Sequence, residues 1–126
     1  MDGSKPRVLI VEDNADLRDM YVQFAKQTGC EAYSLKDGTD AVETCLFQGI
    51  DIVFLDVYMP NTDGLTVLQS IRTYTKKVIV IGISCDDVIL QTARRLGANE
   101  VVYKPLTLEI FTRLIEKYEA CGDQSC

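Results

Sequence analysis

"DIVFLDVYMPNTDG", residues 51–64, decides the fold. Ile52 to Leu55 is an unbroken apolar run, the pattern of a strand covered on both faces rather than of a half-exposed one. It ends abruptly in a single carboxylate, Asp56, and Pro60, Asn61, Asp63 and Gly64 then break it into a loop. Such a strand belongs in a parallel sheet, where ligands sit beyond the carboxyl ends of the strands.

Outward from this stretch the same alternation repeats. The first strand is expected over Arg7 to Glu12, followed by a helix with Leu17, Met20, Tyr21, Phe24, Ala25 and Thr28 at helical spacing and Gly29 as its stop. A second strand from about Cys30 to Leu35 has the mixed polarity of an edge. Asp37-Gly38 marks a turn, and Ala41, Val42, Cys45 and Leu46 form one face of a second helix ending near Gly49. The third strand covers Asp51 to Asp56, and its helix starts at Gly64 with Leu65, Leu68 and Ile71 inward. The fourth strand is Lys77 to Ile83; its helix carries Val88, Ile89, Thr92, Ala93 and Leu96 and stops at Gly97. Glu100 to Tyr103 is a short fifth strand, and the last helix carries Leu108, Phe111, Leu114, Ile115 and Tyr118. Five strand–helix units predict a doubly wound α/β fold, (βα)5 and flavodoxin-like, with strand order 2-1-3-4-5. A single domain over residues 1–126 is expected, with a core of about 6–118 and a short tail, 119–126.

Composition agrees with a globular chain: 47% of the 126 residues are hydrophobic and 25% charged. No apolar stretch approaches the ~18 residues of a membrane span, and no signal peptide is read at the N-terminus. A net charge of −6 without a basic patch argues against direct nucleic-acid binding. Five cysteines, Cys30, Cys45, Cys85, Cys121 and Cys126, form no CxxC, and there is no histidine. They read as reduced thiols acting as small hydrophobes in a cytoplasmic protein.

The strand tips carry the chemistry. The first strand ends in Glu12-Asp13, the third in Asp56, the fourth in Ser84 and the fifth in Lys104-Pro105. The order 2-1-3-4-5 makes the first and third strands neighbours, so three carboxylates converge and need a counter-charge. Mg²⁺ suits oxygen ligands of this kind, and the remaining carboxylate oxygen can act as a nucleophile toward a phosphoryl group. Lys104 and Ser84 are the residue types that steady phosphoryl oxygens. Asp63 and Asp37 read instead as a helix cap and a turn former.

Four pieces, "VEDN" (11–14), "FLDVYMPNTDG" (54–64), "IGIS" (81–84) and "YKP" (103–105), resemble the receiver domains of two-component response regulators over about Pro6 to Tyr118. The resemblance implies that Asp56 takes phosphate from a sensor kinase or phosphotransfer protein's phosphohistidine. It implies Mg²⁺ bound by Asp13, Asp56 and the Tyr58 backbone carbonyl, with Glu12 acting through water, and Ser84 and Lys104 on the phosphoryl oxygens. It also implies a cis Lys104–Pro105 bond, a downstream target on the face made by helix four, strand five and helix five, and a phosphorylation-dependent dimer as one form of signalling. No turnover of an external substrate is implied, only self-phosphorylation and autodephosphorylation. Three departures stand out: Cys85 in place of the usual Ala, Val101 where an aromatic switch residue is common, and bulky Tyr58 beside the path of the hydrolytic water. The signal is therefore expected to pass through residues 84–87 into helix four, with Tyr103 as a fixed part of the partner surface.

Other readings fit less well. A flavin-binding domain needs a Ser-, Thr- and Gly-rich loop after the first strand, and here that loop is acidic. A phosphatase of the haloacid dehalogenase type needs a second acid where Tyr58 stands. A degenerate receiver acting only as a phosphorylation-independent interaction module would lack part of a residue set that is complete here. The tail "EACGDQSC" leaves both a free-standing receiver and a piece of a longer regulator open.

Overall fold

Each apolar run becomes a strand, and in the computed structural model, which describes residues 5–59 and 63–120, the strands pair in parallel. In chain order the elements are β1 (Arg7–Val11), α1 (Ala15–Gln27), β2 (Glu31–Leu35), α2 (Ala41–Gln48), β3 (Ile52–Asp56), α3 (Gly64–Tyr74), β4 (Ile79–Ser84), α4 (Asp87–Arg95), β5 (Glu100–Tyr103) and α5 (Leu108–Ala120). The sheet order is β2-β1-β3-β4-β5, as the sequence predicts, with β2 at an edge. The expected loop at Pro60, Asn61 and Thr62, the tail beyond residue 120 with Cys121 and Cys126, and residues 1–4 lie outside the described residues.

Strand starts fall slightly later than the apolar pattern suggests, because the leading residues have other partners. The Cys30 N–H closes onto the Ala25 carbonyl at 2.8 Å as α1 ends. The Lys77 N–H goes to the Thr75 hydroxyl at 3.0 Å, while the Asp51 N–H still donates to the Arg7 carbonyl at 2.8 Å just ahead of β3. Glu12 lies one residue past the end of β1.

Alternation along the strands divides the core into two layers. Leu9, Val11, Val53, Leu55 and Val80 face α2, α3 and α4 through Ala41, Cys45, Leu68, Ile71, Leu90 and Ala93. Val8, Ile10, Ile52, Phe54, Ile81 and Ile83 face α1 and α5 through Tyr21, Ala25, Phe111 and Ile115. Phe54 and Phe111 stack at 4.5 Å in the second layer. Four residues that the apolar spacing places inward are corrected: Met20 on α1 and Leu108 on α5 are 37% and 39% exposed, and two more lie on α2 and α4. Val88 is 69% exposed while Leu90 is buried, because Leu90 and Ala93 set the inner face of α4 and Val88 lies across the helix from them. Leu46 is 53% exposed, one position past the inward pair Ala41 and Cys45.

Helix ends follow local chemistry. Asn14, Asp63 and Asp86 cap α1, α3 and α4 by accepting from the N–H groups of Leu17, Leu65 and Ile89. Gly49 closes α2 at φ 62°, a conformation that a side chain resists. At the far end of the sheet Arg72 leaves α3 and donates to the carbonyls of Gly97 and Val78, both at 2.8 Å, and to Asn99 Oδ1 at 2.7 Å. This ties the exits of α3 and α4 to the start of β4. The Lys104–Pro105 bond is cis, as the resemblance suggested.

Gly64 opens α3 directly behind the Asp56 loop. A Cβ there would stand 2.4 Å from Val57 Cα and 2.6 Å from the Asp56 carbonyl oxygen, both backbone atoms. Gly64→Ala should therefore destabilise the fold by about 2 kcal/mol, despite the better helix propensity of alanine. Urea unfolding checks this, and a loss below roughly 0.5 kcal/mol would show that the backbone yields.

Candidate functional site

Register brings the pointed residues together. Val11 pairs with Leu55, so the chain just beyond β1 and the tip of β3 come level, and Asp56 itself pairs with Ile83. The alternation that sends Ile52 and Phe54 toward α1 and α5 sends Asp56 the same way. Beyond β1 the chain turns into α1 at once. The Asn14 N–H donates to Glu12 Oε2 at 3.1 Å, and Arg18 donates to the Glu12 carbonyl at 3.0 Å. On the other side Ser84 ends β4 opposite Tyr103, and the Lys104 N–H donates to the Ser84 carbonyl at 3.1 Å.

Lys104 is the hub. Its Nζ lies 2.8 Å from Asp56 Oδ2 and 3.0 Å from Glu12 Oε1. Asp56 Oδ1 accepts from the Tyr58 N–H at 3.0 Å. Glu12 and Asp56 are buried; Asp13 is exposed beside them. Carboxylate oxygens of Glu12, Asp13 and Asp56 all lie within 4.8 Å of one another. At such distances the acids repel one another when charged, most strongly the buried pair Glu12 and Asp56. One ammonium against three carboxylates leaves the cluster under-compensated.

The titration behaviour carries the same message. Burial pushes Glu12 up to about 7, with Asp56 adding to the rise and the Asn14 N–H and Lys104 opposing it. Burial alone would lower Lys104, but its hydrogen bond to Asp56 and its charge pairing with Asp56 and Glu12 prevail and hold it above the ordinary lysine value. Although close to Lys104, Glu12 Oε1 has no hydrogen-bond partner of acceptable geometry. A buried carboxylate oxygen whose close cation is a lysine shared with Asp56, beside two further acids, fits a hard divalent cation with oxygen ligands.

A cavity of about 410 Å³ opens over the cluster, lined by Asp56, Tyr58, Ser84, Cys85, Asp86, Ile89 and Lys104. Ser84 accepts from the Asp86 N–H at 3.1 Å, so its hydroxyl sits against the first residues leading into α4. The structure thus gathers Glu12, Asp13, Asp56 and Lys104 at one sheet end, with Ser84 and Tyr58 on the wall of the same cavity. Tyr58 is 68% exposed and lines the same cavity as Asp56. Cys30 and Cys45 are buried as expected of small hydrophobes, whereas Cys85 is exposed on the cavity wall. Asp63 and Asp37 hold a helix cap and a turn, as read from the sequence. Sequence reasoning missed Arg18, which holds the Glu12 backbone, and Tyr21, whose hydroxyl accepts from the Leu106 N–H at 3.2 Å. Helical spacing marked Tyr21 as core but could not say what its hydroxyl meets.

Comparison with known proteins gives one consistent picture. The family model described as the response regulator receiver domain matches residues 8–116. The chemotaxis protein CheY of Treponema pallidum is 34% identical over 110 residues, covering 83% of this chain and 76% of that protein. The transcription factor SKN7 of Chaetomium thermophilum is 31% identical over 120 residues, 92% of this chain but 16% of that protein. The regulatory protein VanRc of Enterococcus gallinarum is 31% identical over 110 residues, 86% of this chain and 48% of its own length. The chain therefore spans less than half of these last two relatives. Among solved structures, a CheY-like receiver domain protein of Methanospirillum hungatei superposes with a TM-score of 0.86 at 17% identity, covering 97% of this chain and 100% of that one. A chain of the co-crystal of the Saccharomyces cerevisiae histidine phosphotransfer protein Ypd1 with the receiver domain of Ssk1 gives 0.87 at 22% identity, covering 95% and 92%. Both likenesses concern the fold. No helix among the described residues is long and apolar enough to cross a membrane.

Glu12 makes the metal-free site pH-dependent. Its folded value lies above the ordinary 4.5, so its stabilising contribution is fully present below 4.5 and is lost as pH rises through about 7. In chelator, Glu12→Gln should cost the least stability, or even stabilise, near about pH 8 and cost the most near about pH 5. Urea unfolding of both proteins across this range measures the difference; a gap independent of pH would contradict the raised value.

Proposed function

The chain belongs to the response regulator receiver domain family, and from that premise we propose that it is a phosphoacceptor that takes a phosphoryl group onto Asp56 and switches a protein-binding surface. The observation that carries this reading is the Lys104 ammonium 2.8 Å from Asp56, beside acids that one lysine cannot neutralise. As a purely structural ion pair the arrangement is poor. As the resting state of a site awaiting a cation and a phosphoryl group, it has a reason.

Mg²⁺ is the cation proposed, held by Asp13, Asp56 and the Tyr58 carbonyl, with Glu12 acting through water. When bound, it supplies positive charge toward the carboxylates and the phosphoryl oxygens. An Asp56 oxygen attacks phosphorus, an O–P bond forms, and the P–N bond of the donor phosphohistidine breaks with its electron pair returning to the imidazole. Lys104 steadies the negative charge on one side of the transferring group, and Ser84 offers a hydroxyl proton on the other. The donor proposed is a sensor histidine kinase or a phosphotransfer protein; a histidine phosphotransfer protein is the partner named with the Ssk1 receiver. Residues 6–118 are proposed to act as one unit.

Ser84 links the event to the output. A charge-assisted bond to a phosphoryl oxygen is worth roughly 1.5–3 kcal/mol, enough to shift a two-state loop. Its oxygen is already engaged with the Asp86 N–H, and Asp86 caps α4. Movement of Ser84 is thus proposed to reach α4 without an aromatic relay. Val101 is partly buried against the α4 layer, and Tyr103, 56% exposed, belongs to the surface offered to a downstream target by α4, β5 and α5.

Incubation with acetyl phosphate and Mg²⁺ should modify Asp56, and Asp56→Asn or excess chelator should abolish the modification. Undiminished labelling of the variant, or full labelling in chelator, would sink the assignment. Tyr58, at the cavity mouth, should slow hydrolysis of the phosphoryl group by screening the approach of water. The phosphoryl lifetime should therefore shorten in Tyr58→Ala, by roughly threefold or more if screening contributes about 0.7 kcal/mol. An equal or longer lifetime would refute that role.

A further inference from the structure

We propose that Tyr21 is a positioning residue for the phosphoryl-transfer site, its buried hydroxyl anchoring the backbone just after Lys104 and so fixing where the Lys104 ammonium sits. The inference rests on the reading of Asp56 as phosphoacceptor and adds a group that none of the strand-tip motifs contains.

The anchoring follows from where backbone donors exist. On the strand side, Lys104 is held by its N–H to the Ser84 carbonyl. The next residue, Pro105, has no N–H to offer. The first donor available after the proline is Leu106, and its acceptor is the Tyr21 hydroxyl at 3.2 Å. Lys104 is therefore suspended between two attachments, one to the sheet and one to α1.

The second attachment is rigid. Tyr21 and Leu106 are both fully buried. The Tyr21 ring lies 6.0 Å from Phe24, Phe24 lies 6.1 Å from Phe111, and Phe111 stacks on Phe54, two residues before Asp56. Apolar packing at this position asks only for the ring. The hydroxyl is an addition whose visible partner is the Leu106 N–H, and removing it would leave that donor buried without an acceptor. Burial raises the Tyr21 pKa, which keeps the hydroxyl neutral across the working range. One turn earlier on the same helix, Arg18 holds the Glu12 carbonyl. A single helix thus sets both the acid and the lysine that faces it.

The test uses Tyr21→Phe, Lys104→Met and the double variant of the full chain. In metal-free buffer the ordered Lys104 ammonium should give an observable ¹⁵Nζ signal in the wild type, weakened or lost in Tyr21→Phe. With Mg²⁺ and saturating acetyl phosphate, Tyr21→Phe should slow phosphorylation of Asp56 about tenfold, equivalent to about 1.36 kcal/mol, and should slow Lys104→Met no further. A backbone ester at Leu106, which removes the donor but keeps Tyr21, should reproduce the loss if the phenylalanine variant folds poorly. A lower urea midpoint with an unchanged ammonium signal and rate would overturn the proposal and leave Tyr21 a packing residue. If the wild type takes up no phosphate, the phosphoacceptor reading fails, and the ammonium signal alone decides whether Tyr21 positions Lys104.

Discussion

One lysine facing too many acids governs this molecule. Glu12 and Asp56 lose nearly all contact with water, and the Lys104 ammonium lies within 3.0 Å of both. Buried like charges can be held so only if the surrounding frame is stiff, and the parallel sheet supplies that stiffness. Asp56 ends β3, and Glu12 and Lys104 stand one residue beyond the ends of β1 and β5, so the sheet rather than a long loop sets the distances between them. The order β2-β1-β3-β4-β5 is what gives the charge cluster its dimensions.

Stability and chemistry pull in opposite directions at this end of the sheet. The two apolar layers are continuous under α1 and α5 and under α2, α3 and α4, and they stop where Glu12, Asp56 and Ser84 begin. A protein built for stability alone would extend the apolar layer to the strand ends. Here three polar residues are buried instead, and Glu12 Oε1 is left without a hydrogen-bond partner. That mismatch leaves a repulsion built into the fold, which positive charge from outside would relieve.

Much of this was legible in the sequence. Short, partly β-branched apolar runs such as Ile52 to Leu55, bounded by turn residues, read as strands covered on both faces, which points to the layered architecture, and their last residues mark the candidate site. The errors arose where periodicity is ambiguous. On α4, Val88 and Leu90 are both apolar, and only packing against the sheet decides that Leu90 turns inward. What stayed illegible were bonds between segments distant in sequence. The hydroxyl of Tyr21 and the amide of Leu106 stand 85 residues apart, and nothing in either local pattern names the other. Arg72 reads as an ordinary helix-end cation, yet it gathers carbonyls from two other segments.

That Arg72 clasp has a mechanical corollary. The C-terminal end of α4 is pinned through Gly97 to the end of α3, while its N-terminal end depends on Asp86 and the Ser84 hydroxyl. A rod clamped at one end swings more readily than it slides. On the proposed route, a displacement of Ser84 would tilt α4 about Gly97 rather than shift it bodily, with the widest arc at the first turn, where Val88 is exposed.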